Sequence, residues 1–429
     1  MSWAALILLF CAPGIASGLD SVRCKFLGSG IAPFIHTIDL LFLVLALYLL
    51  FSKRGNSLLI DHGGVCVLLF LAIERISLIG AGAHPPHRTY YELFKLAAAA
   101  LFFFYARYLL SQKFHYWKKV CLTAMLAFGL LECLVGISQY FLQHATGWPF
   151  LGEIPGSAGF FSKSGCRWIF DTASRPVWML RAYGSFSHPN TFGGFLAVFL
   201  AFISYLFDTA QRKWQKIGLA TVFFIGSFTL AITYSRSAEI AFFIMAATYF
   251  AVIYWKKRSF NKRLFGVMLG SFLTCYLLLF SQIYERGGLV GFEKGAVQIK
   301  EPERIFFQKA AFRIIKESPL LGVGFNHFIR KMQSLYGAEL PRHMHFPVHN
   351  IYLLIWAEAG LFALCAFLLL FFRPIYKILS GDGSKFEIML LSAMTGLLFI
   401  GLADHYLLTV NSGRILLFLL PGLLTGHRL

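Results

Sequence analysis

Charged residues are scarce in this chain of 429 residues, because Asp, Glu, Lys and Arg together make up only 14% of it. A soluble globular domain has about a quarter of its residues charged, so that class is excluded. The eight cysteines form no Cys-x-x-Cys pair and no cluster with histidine, and only Cys24 and Cys166 could share an aqueous loop side. No metal site is therefore predicted. With no repeat and no low-complexity linker either, nothing indicates a fibrous or disordered protein.

Apolar residues make up 58% of the chain, and many of them occur in long runs. The runs are about 20 residues long, which is the length that one helix needs to cross ~30 Å of hydrocarbon. The pattern predicts an all-α integral membrane protein with about 12 transmembrane helices. The first run resembles a signal peptide but lacks a basic n-region, so it is interpreted as a helix. The predicted spans are residues 1–18, 33–51, 58–80, 90–110, 117–142, 188–207, 215–234, 237–255, 264–283, 350–372, 386–404 and 405–426.

The 39 Lys and Arg against 20 Asp and Glu give a net charge of +19. In a soluble protein this would suggest nucleic-acid binding. Here the basic residues lie mostly in short loops between apolar runs, where they mark the cytoplasmic side of a membrane. With the N-terminus inside, residues 143–187 and 284–349 become two long periplasmic segments, and nucleic acid is not predicted as a partner.

The second long segment, residues 284–349 between the ninth and tenth spans, has a helical pattern of its own. Apolar residues from Ile305 to Ile315 alternate with Lys, Arg and Glu, which predicts an amphipathic helix against the membrane surface. Pro319 ends the pattern, and Gly322-Val323-Gly324 predicts a tight turn with close backbone approach. Because no linker divides the chain, residues 1–429 are predicted to form a single polytopic membrane domain.

Three basic residues fall on the periplasmic side by topology alone. Arg236 lies between two spans, Arg313 lies in the amphipathic pattern, and His349 stands with Asn350 where the tenth span begins. Charges at a membrane boundary are costly and often functional, although an arginine can also snorkel to the interface. Guanidinium groups suit phosphate oxygens, and imidazole can take a proton from a hydroxyl near neutral pH.

Other polar residues lie at helix starts on the same side. Arg181, His188 and Asn190 precede the sixth span, where ordinary helix initiation explains part of the pattern. Asp404 and His405 form a further acidic and basic pair near the twelfth span, for which a helix-end role is an equally good interpretation.

Together, four short stretches resemble the O-antigen ligase and polymerase superfamily of bacterial membrane glycosyltransferases, which use polyprenyl-diphosphate-linked glycans. The likeness covers roughly residues 180–410. Each stretch is short, and their order, spacing and shared periplasmic topology make the set specific. The stretches are Arg181-x-Tyr-Gly-Ser-Phe-Ser-His188-Pro-Asn190, Tyr234-Ser-Arg236-Ser, Arg313 followed by Ser318-Pro-Leu-Leu-Gly322-Val-Gly324, and His349-Asn350 with Glu358-x-Gly360.

The resemblance implies a bacterial inner-membrane enzyme with a periplasmic active site that needs no metal and no cofactor. Its partners would be membrane lipids, a glycan donor on undecaprenyl diphosphate, and an acceptor that is lipid A-core or another glycolipid. By matching motif, Arg236 and Arg313 would hold the diphosphate, and His349 would activate the acceptor hydroxyl as the catalytic base. The other residues implied to bind substrate are Arg181, His188, Asn190, Gly322, Gly324 and Asn350.

Several alternatives stay open at this point. O-antigen polymerases resemble each other in having an Arg-ten-residues-Gly pattern in both periplasmic loops, and here it occurs once, from Arg313 to Gly324, which favours a ligase. A polymerase or a protein O-oligosaccharyltransferase would use the same donor. A twelve-helix transporter fits the span count but not the missing repeat. No carboxylate pair for a covalent intermediate is evident, which predicts direct displacement with inversion. The glycan, the acceptor and the oligomeric state are not indicated.

Overall fold

The computed structural model describes residues 61–80, 87–147, 153, 161–164, 177–256, 258–280, 282, 303–337, 344–381 and 383–426. The predicted spans 1–18 and 33–51 lie outside these residues, as do Cys24 and Cys166. The helices are α1 (His62–Gly80), α2 (His87–Gln112), α3 (Phe114–Leu142), α4 (Pro189–Thr209), α5 (Lys213–Ile232), α6 (Arg236–Trp255), α7 (Lys262–Leu278), α8 (Glu303–Glu317), α9 (Phe328–Tyr336), α10 (Ile351–Ser380), α11 (Lys385–Ala403), α12 (Tyr406–Thr409) and α13 (Asn411–Thr425).

Eight of the described helices are long and apolar enough to cross a membrane, namely α1 to α6, α10 and α11. The predicted all-α, multi-pass membrane class is thereby confirmed. The first long segment adds a short hairpin, in which β1 (Phe161–Ser164) pairs antiparallel with β2 (Val177–Leu180). Helix α7 lies at the ninth predicted span and ends at Leu278, and residues 281 and 283 of that span lie outside the described residues.

The single span predicted over residues 405–426 is wrong, since the chain there forms two helices. Val410 separates α12 from α13 with an extended backbone, at φ −115° and ψ 134°. The buried Arg414 explains the break, because its Nε donates to the carbonyl of Leu408 and its terminal nitrogen pairs with Glu92 at 2.8 Å. Hydropathy does not register such a contact, since it sums apolar character along a run.

The chain divides into two compact units. The first unit contains the described residues within 115–297 and 381–400. Its central helix is α4, in which 89% of the most apolar stretch of 18 residues is buried. Small residues let the neighbouring helices approach closely, since a Cβ on Gly129 of α3 would lie 2.2 Å from the ring of Phe199.

The second unit contains the described residues within 61–114, 303–380 and 401–426. Helix α1 runs antiparallel to α10, because the rings of Phe70 and Phe367 are 5.6 Å apart and Asp61, just before α1, lines the same cavity as Arg373 near the end of α10.

Helices α2 and α13 of the second unit run parallel. Glu92 and Arg414 pair near their N-terminal ends, and further along a Cβ on Gly422 would lie 2.6 Å from the carbonyl oxygen of Phe103. Asp61 at the start of α1 pairs with Arg107 near the end of α2. The N-terminal ends of α2, α10 and α13 therefore share one end of this bundle.

Helix α8 confirms the amphipathic pattern in the second long segment. Its buried face includes Phe307, Ala310 and Ile314, which belong to one cluster with residues of α9 and α10. Ile305 and Phe312 are 43% and 51% exposed on its other side. The helix is thereby held over the start of α10.

Candidate active site

Two histidines and an aspartate meet at the N-terminal end of α10 in the second unit. His349 lies just before α10, and Asp404 with His405 forms the connection from α11 to α12. The Nδ1 atom of His349 is 3.8 Å from Oδ1 of Asp404, and the rings of His349 and His405 are 4.9 Å apart. Asp404 is 8% exposed and His349 is 29% exposed. A partly exposed imidazole thus stands against a buried carboxylate.

Local contacts fix the position of these side chains. The side-chain oxygen of Asn350 accepts hydrogen bonds from the N–H groups of Tyr352 and Leu353, at 2.9 and 3.0 Å, and so caps α10. Oδ1 of Asp404 accepts the backbone N–H of His405 at 2.8 Å. The position of Asn350, predicted to bind substrate, is therefore that of a helix cap beside His349.

The protonation pattern follows from this geometry. Nδ1 of His349 is buried and has no hydrogen-bond partner among the described residues. Its distance of 3.8 Å from Asp404 exceeds a hydrogen bond, and such contacts often tighten only when substrate binds. A proton on Nδ1, facing the carboxylate, would leave the lone pair of Nε2 for an incoming hydroxyl.

His405 shares the site and is strongly affected by burial. Burial lowers the pKa of His405 to about 4, which Asp404 opposes and His349 reinforces. Its Nδ1 lies 2.7 Å from Oγ1 of Thr409. Each of His349, Asp404 and His405 offers one ligand atom, and these atoms lie within 4.8 Å of one another, so among the described residues they could hold a metal ion.

The lowered pKa of His405 predicts a loss of stability in mild acid. Between its ordinary pKa of 6.5 and its folded pKa of about 4, the unfolded chain binds a proton that the folded chain does not. The free energy of unfolding therefore falls as the pH is lowered through this window. Thermal unfolding in detergent should show a smaller drop from pH 7 to pH 4.5 for His405→Gln than for the wild type. Equal drops would contradict this assignment.

Helix α10 is broken at Gly360, where φ is +81° and ψ is −179°, and the predicted turn at Gly322 and Gly324 lies against this break. The N–H groups of Val323 and Gly324 donate to the carbonyls of Ala357 and Glu358. Gly322 has φ +69°, and a Cβ there would lie 2.3 Å from the backbone of Glu358. These two glycines therefore permit a close backbone contact, as the sequence predicts.

The carboxylate of Glu358 secures the same segment. It accepts the backbone N–H groups of Asn326 and Phe328 at 2.9 and 3.0 Å, where α9 begins. Asn326 has a φ of +59°, a left-handed conformation that needs such support. Glu358 thus positions the chain between α8 and α9.

Arg313 lies on the exposed side of α8. Its guanidinium carbon is 5.5 Å from the ring centre of Tyr336 on α9, a cation–π contact. The ring of Phe306 packs against the same tyrosine at 5.0 Å. Arg313 is therefore held over an aromatic surface at the outer face of the second unit.

In the first unit, Arg181 and Asn190 lie together at the start of α4. Arg181 is buried, and its guanidinium donates to the carbonyl of Thr233 at 2.8 Å and to the side-chain oxygen of Asn190 at 2.7 Å. His188 caps α4 by accepting the N–H of Asn190 at 3.1 Å. Arg236 is the half-buried first residue of α6, three residues after Thr233. The structure thus joins the first two motifs of the resemblance.

Buried polar residues of α3 hold that first motif in place. Glu132 accepts both the N–H and the hydroxyl of Ser185, at 2.9 and 2.5 Å. Gln139 accepts the N–H groups of Tyr183 and Gly184. Gly184 has φ +59°, and a Cβ there would lie 2.4 Å from Glu132. The motif is therefore built around a tight turn on two side chains inside a span.

Sequence reasoning missed some of these residues. The sequence shows Asp404 as part of a pair with His405 but does not place it beside His349, and no motif indicates Glu132. An isolated acidic residue inside an apolar run is the signal that could have found Glu132. Arg236 belongs to the first unit and Arg313 to the second, and their convergence with His349 stays a prediction.

Comparison with known families gives one match. The family model described as O-antigen ligase matches residues 221–368, from within α5 to within α10. Among curated protein sequences, no match was found. The predicted site residues inside the matched range are Arg236, Arg313, Gly322, Gly324, His349 and Asn350.

Proposed function

Because residues 221–368 match the family model described as O-antigen ligase, we propose that this protein is a membrane glycosyltransferase of the ligase type. It moves a glycan from undecaprenyl diphosphate to lipid A-core or another glycolipid. The reaction takes place at the periplasmic face of the bacterial inner membrane. The catalytic region extends over residues 180–410, which adds the Arg181 motif and Asp404 to the matched range.

The observation that carries this proposal is His349 beside Asp404, with an Nδ1 that has no hydrogen-bond partner among the described residues. Asp404 closes on Nδ1–H when substrate binds and orients the ring. Nε2 then takes the proton of the acceptor hydroxyl as its oxygen attacks the anomeric carbon. The bond from that carbon to the diphosphate oxygen breaks, and the diphosphate leaves with the electron pair. One displacement of this kind inverts the anomeric configuration.

The departing diphosphate needs neutralisation of charge more than it needs an acid. Arg236 and Arg313 supply it, because a guanidinium donates fixed, forked hydrogen bonds to phosphate oxygens. The cation–π contact with Tyr336 keeps Arg313 extended at the face of α8. Arg181, His188 and Asn190 hold the turn that leads to Arg236.

The experiment that tests this function is an assay of glycan transfer by the purified protein. A polyprenyl-diphosphate glycan is the donor, and lipid A-core, a second donor molecule and a pilin-type protein are the three possible acceptors. A ligase glycosylates lipid A-core, whereas a polymerase extends a second donor molecule and a protein O-oligosaccharyltransferase modifies a pilin-type protein. NMR of the product should show an inverted anomeric linkage. Transfer to the protein or donor acceptor in place of lipid A-core would contradict the ligase assignment, and a retained linkage would contradict single displacement.

We expect transfer to be independent of metal ions, because His349 acts here as a base and not as a ligand. Incubation with EDTA, followed by removal of the chelate, should leave the rate of transfer unchanged. Loss of activity that Zn²⁺ restores would instead make His349, Asp404 and His405 metal ligands, as their spacing would allow.

A further inference from the structure

A cavity of about 400 Å³ lies at the opposite end of the second unit from His349. It is bounded by the start of α1 and by the ends of α2, α10 and α13. Arg373 on its wall follows His349 by 24 residues and lies beyond the break at Gly360, and the stretch of α10 from Gly360 to Arg373 alone spans roughly 20 Å. The cavity is therefore separate from the candidate active site, and the basic short loops place its end of the bundle on the cytoplasmic side.

The polar wall of this cavity is cationic. Arg107, 2% exposed, donates to Asp61 through both terminal nitrogens, one at 2.6 Å, so their charges cancel. Asp61 is the one acidic residue on the described wall, and Arg373 and Lys377 add two positive charges. Burial raises the pKa of Asp61, but hydrogen bonds from Arg107 and Gly64 outweigh it and lower the pKa below its ordinary value. The carboxylate thus stays ionised.

Arg107 also leaves one donor unused. Its Nε is buried and has no hydrogen-bond partner among the described residues, although the side chain lines the cavity. A buried guanidinium N–H without an acceptor is costly. An anion with several oxygens in this cavity would balance the positive charge of Arg373 and Lys377 on its wall.

The rest of the cavity suits an amphiphile. Phe103, Leu370 and Leu424 form apolar parts of its wall. On the adjacent stripe of α10, Phe372 and Tyr376 are 67% and 63% exposed, as expected of side chains that face lipid. Cationic groups and apolar surface thus lie side by side at one membrane boundary.

Arg373 and Lys377 also have a simpler explanation, because basic residues favour helix C-termini and cytoplasmic loops. That explanation accounts neither for the cavity beside these two residues nor for the buried Arg107, whose Nε has no acceptor among the described residues. We propose that the cavity binds the phosphate headgroup of an anionic phospholipid from the surrounding leaflet. Basic pockets between membrane helices on the cytoplasmic side are known to bind such headgroups.

The test is native mass spectrometry of the purified full chain in detergent, with phosphatidylglycerol or phosphatidylcholine added. We expect bound phosphatidylglycerol on the wild type and an affinity about 25-fold lower in Arg373→Gln/Lys377→Gln, at roughly fivefold for each cation. The matched control is Lys262→Gln/Arg263→Gln, which removes two exposed cations at the start of α7 and should bind as the wild type does.

Two outcomes would overturn the proposal. The first is equal binding by the cavity variant and the control, or equal binding of phosphatidylcholine. The second is displacement of phosphatidylglycerol by millimolar inorganic phosphate, which would assign the cavity to a free anion. Equal thermal unfolding midpoints of the two variants show that any difference in binding does not come from misfolding.

Discussion

Replacing His349 by glutamine lowers the rate of glycan transfer by about 10²–10⁴-fold, the usual contribution of a general base. Glutamine keeps the approximate size of the side chain but cannot take the proton of the acceptor hydroxyl. Since the diphosphate contacts are left in place, kcat falls and KM for the donor changes little. The measurement is steady-state transfer from a labelled polyprenyl-diphosphate glycan to lipid A-core.

The matched control is His115→Gln, which replaces an exposed histidine at the start of α3. It should transfer at the wild-type rate. Asp404→Asn tests the orienting role, because asparagine fits the same space but does not stabilise the imidazolium. It should lower kcat in the same direction as His349→Gln. Wild-type transfer by His349→Gln would remove His349 from the mechanism.

Replacing Gly360 by alanine lowers the free energy of unfolding by about 3–5 kcal/mol, because alanine is strained in a left-handed backbone conformation and its Cβ would clash with another part of the backbone. Gly360 has φ +81°, and a Cβ there would lie 2.0 Å from the carbonyl oxygen of Leu320. The neighbouring N–H of Leu361 donates to the carbonyl of Pro319 at 3.0 Å, so the two backbones cannot separate without losing this bond. Thermal unfolding in detergent measures the loss as a large drop in the midpoint.

Gly266 of α7 provides the matched control for this substitution. A Cβ there would meet no atom within 4 Å, and its φ is helical. Gly266→Ala should therefore raise the free energy of unfolding by up to ~1 kcal/mol, because alanine has the higher helix propensity. The midpoint should rise slightly as a result. Gly322→Ala, with φ +69° and a similar clash, should resemble Gly360→Ala. Similar midpoints for Gly360→Ala and Gly266→Ala would contradict the described turn.

Hydropathy and turn chemistry were sufficient to predict much of this fold. The boundaries of α3 to α6 lie within a few residues of the predicted spans, because each run is apolar for the full thickness of a bilayer. Alternation of apolar and charged residues predicted α8, and Gly322 with Gly324 predicted the turn that follows it. These features depend on neighbours in sequence.

Contacts between distant residues could not be predicted in the same way. The break between α12 and α13 depends on Arg414 meeting Glu92, 322 residues earlier. The turn of the Arg181 motif depends on Glu132, 53 residues from its partner Ser185. For the same reason, the sequence indicated His349 by its place at a helix start but not the carboxylate of Asp404 beside it.

The most direct test of the account is the electrophoretic profile of surface glycolipid from a strain that lacks this protein. The account predicts bare core, with full-length polymer accumulating on its lipid carrier. Wild-type protein restores the normal profile, and His349→Ala, produced at an equal level, does not. Core that carries a single repeat would indicate a polymerase instead, and an unchanged profile would contradict the central claim that this protein joins the glycan to lipid A-core.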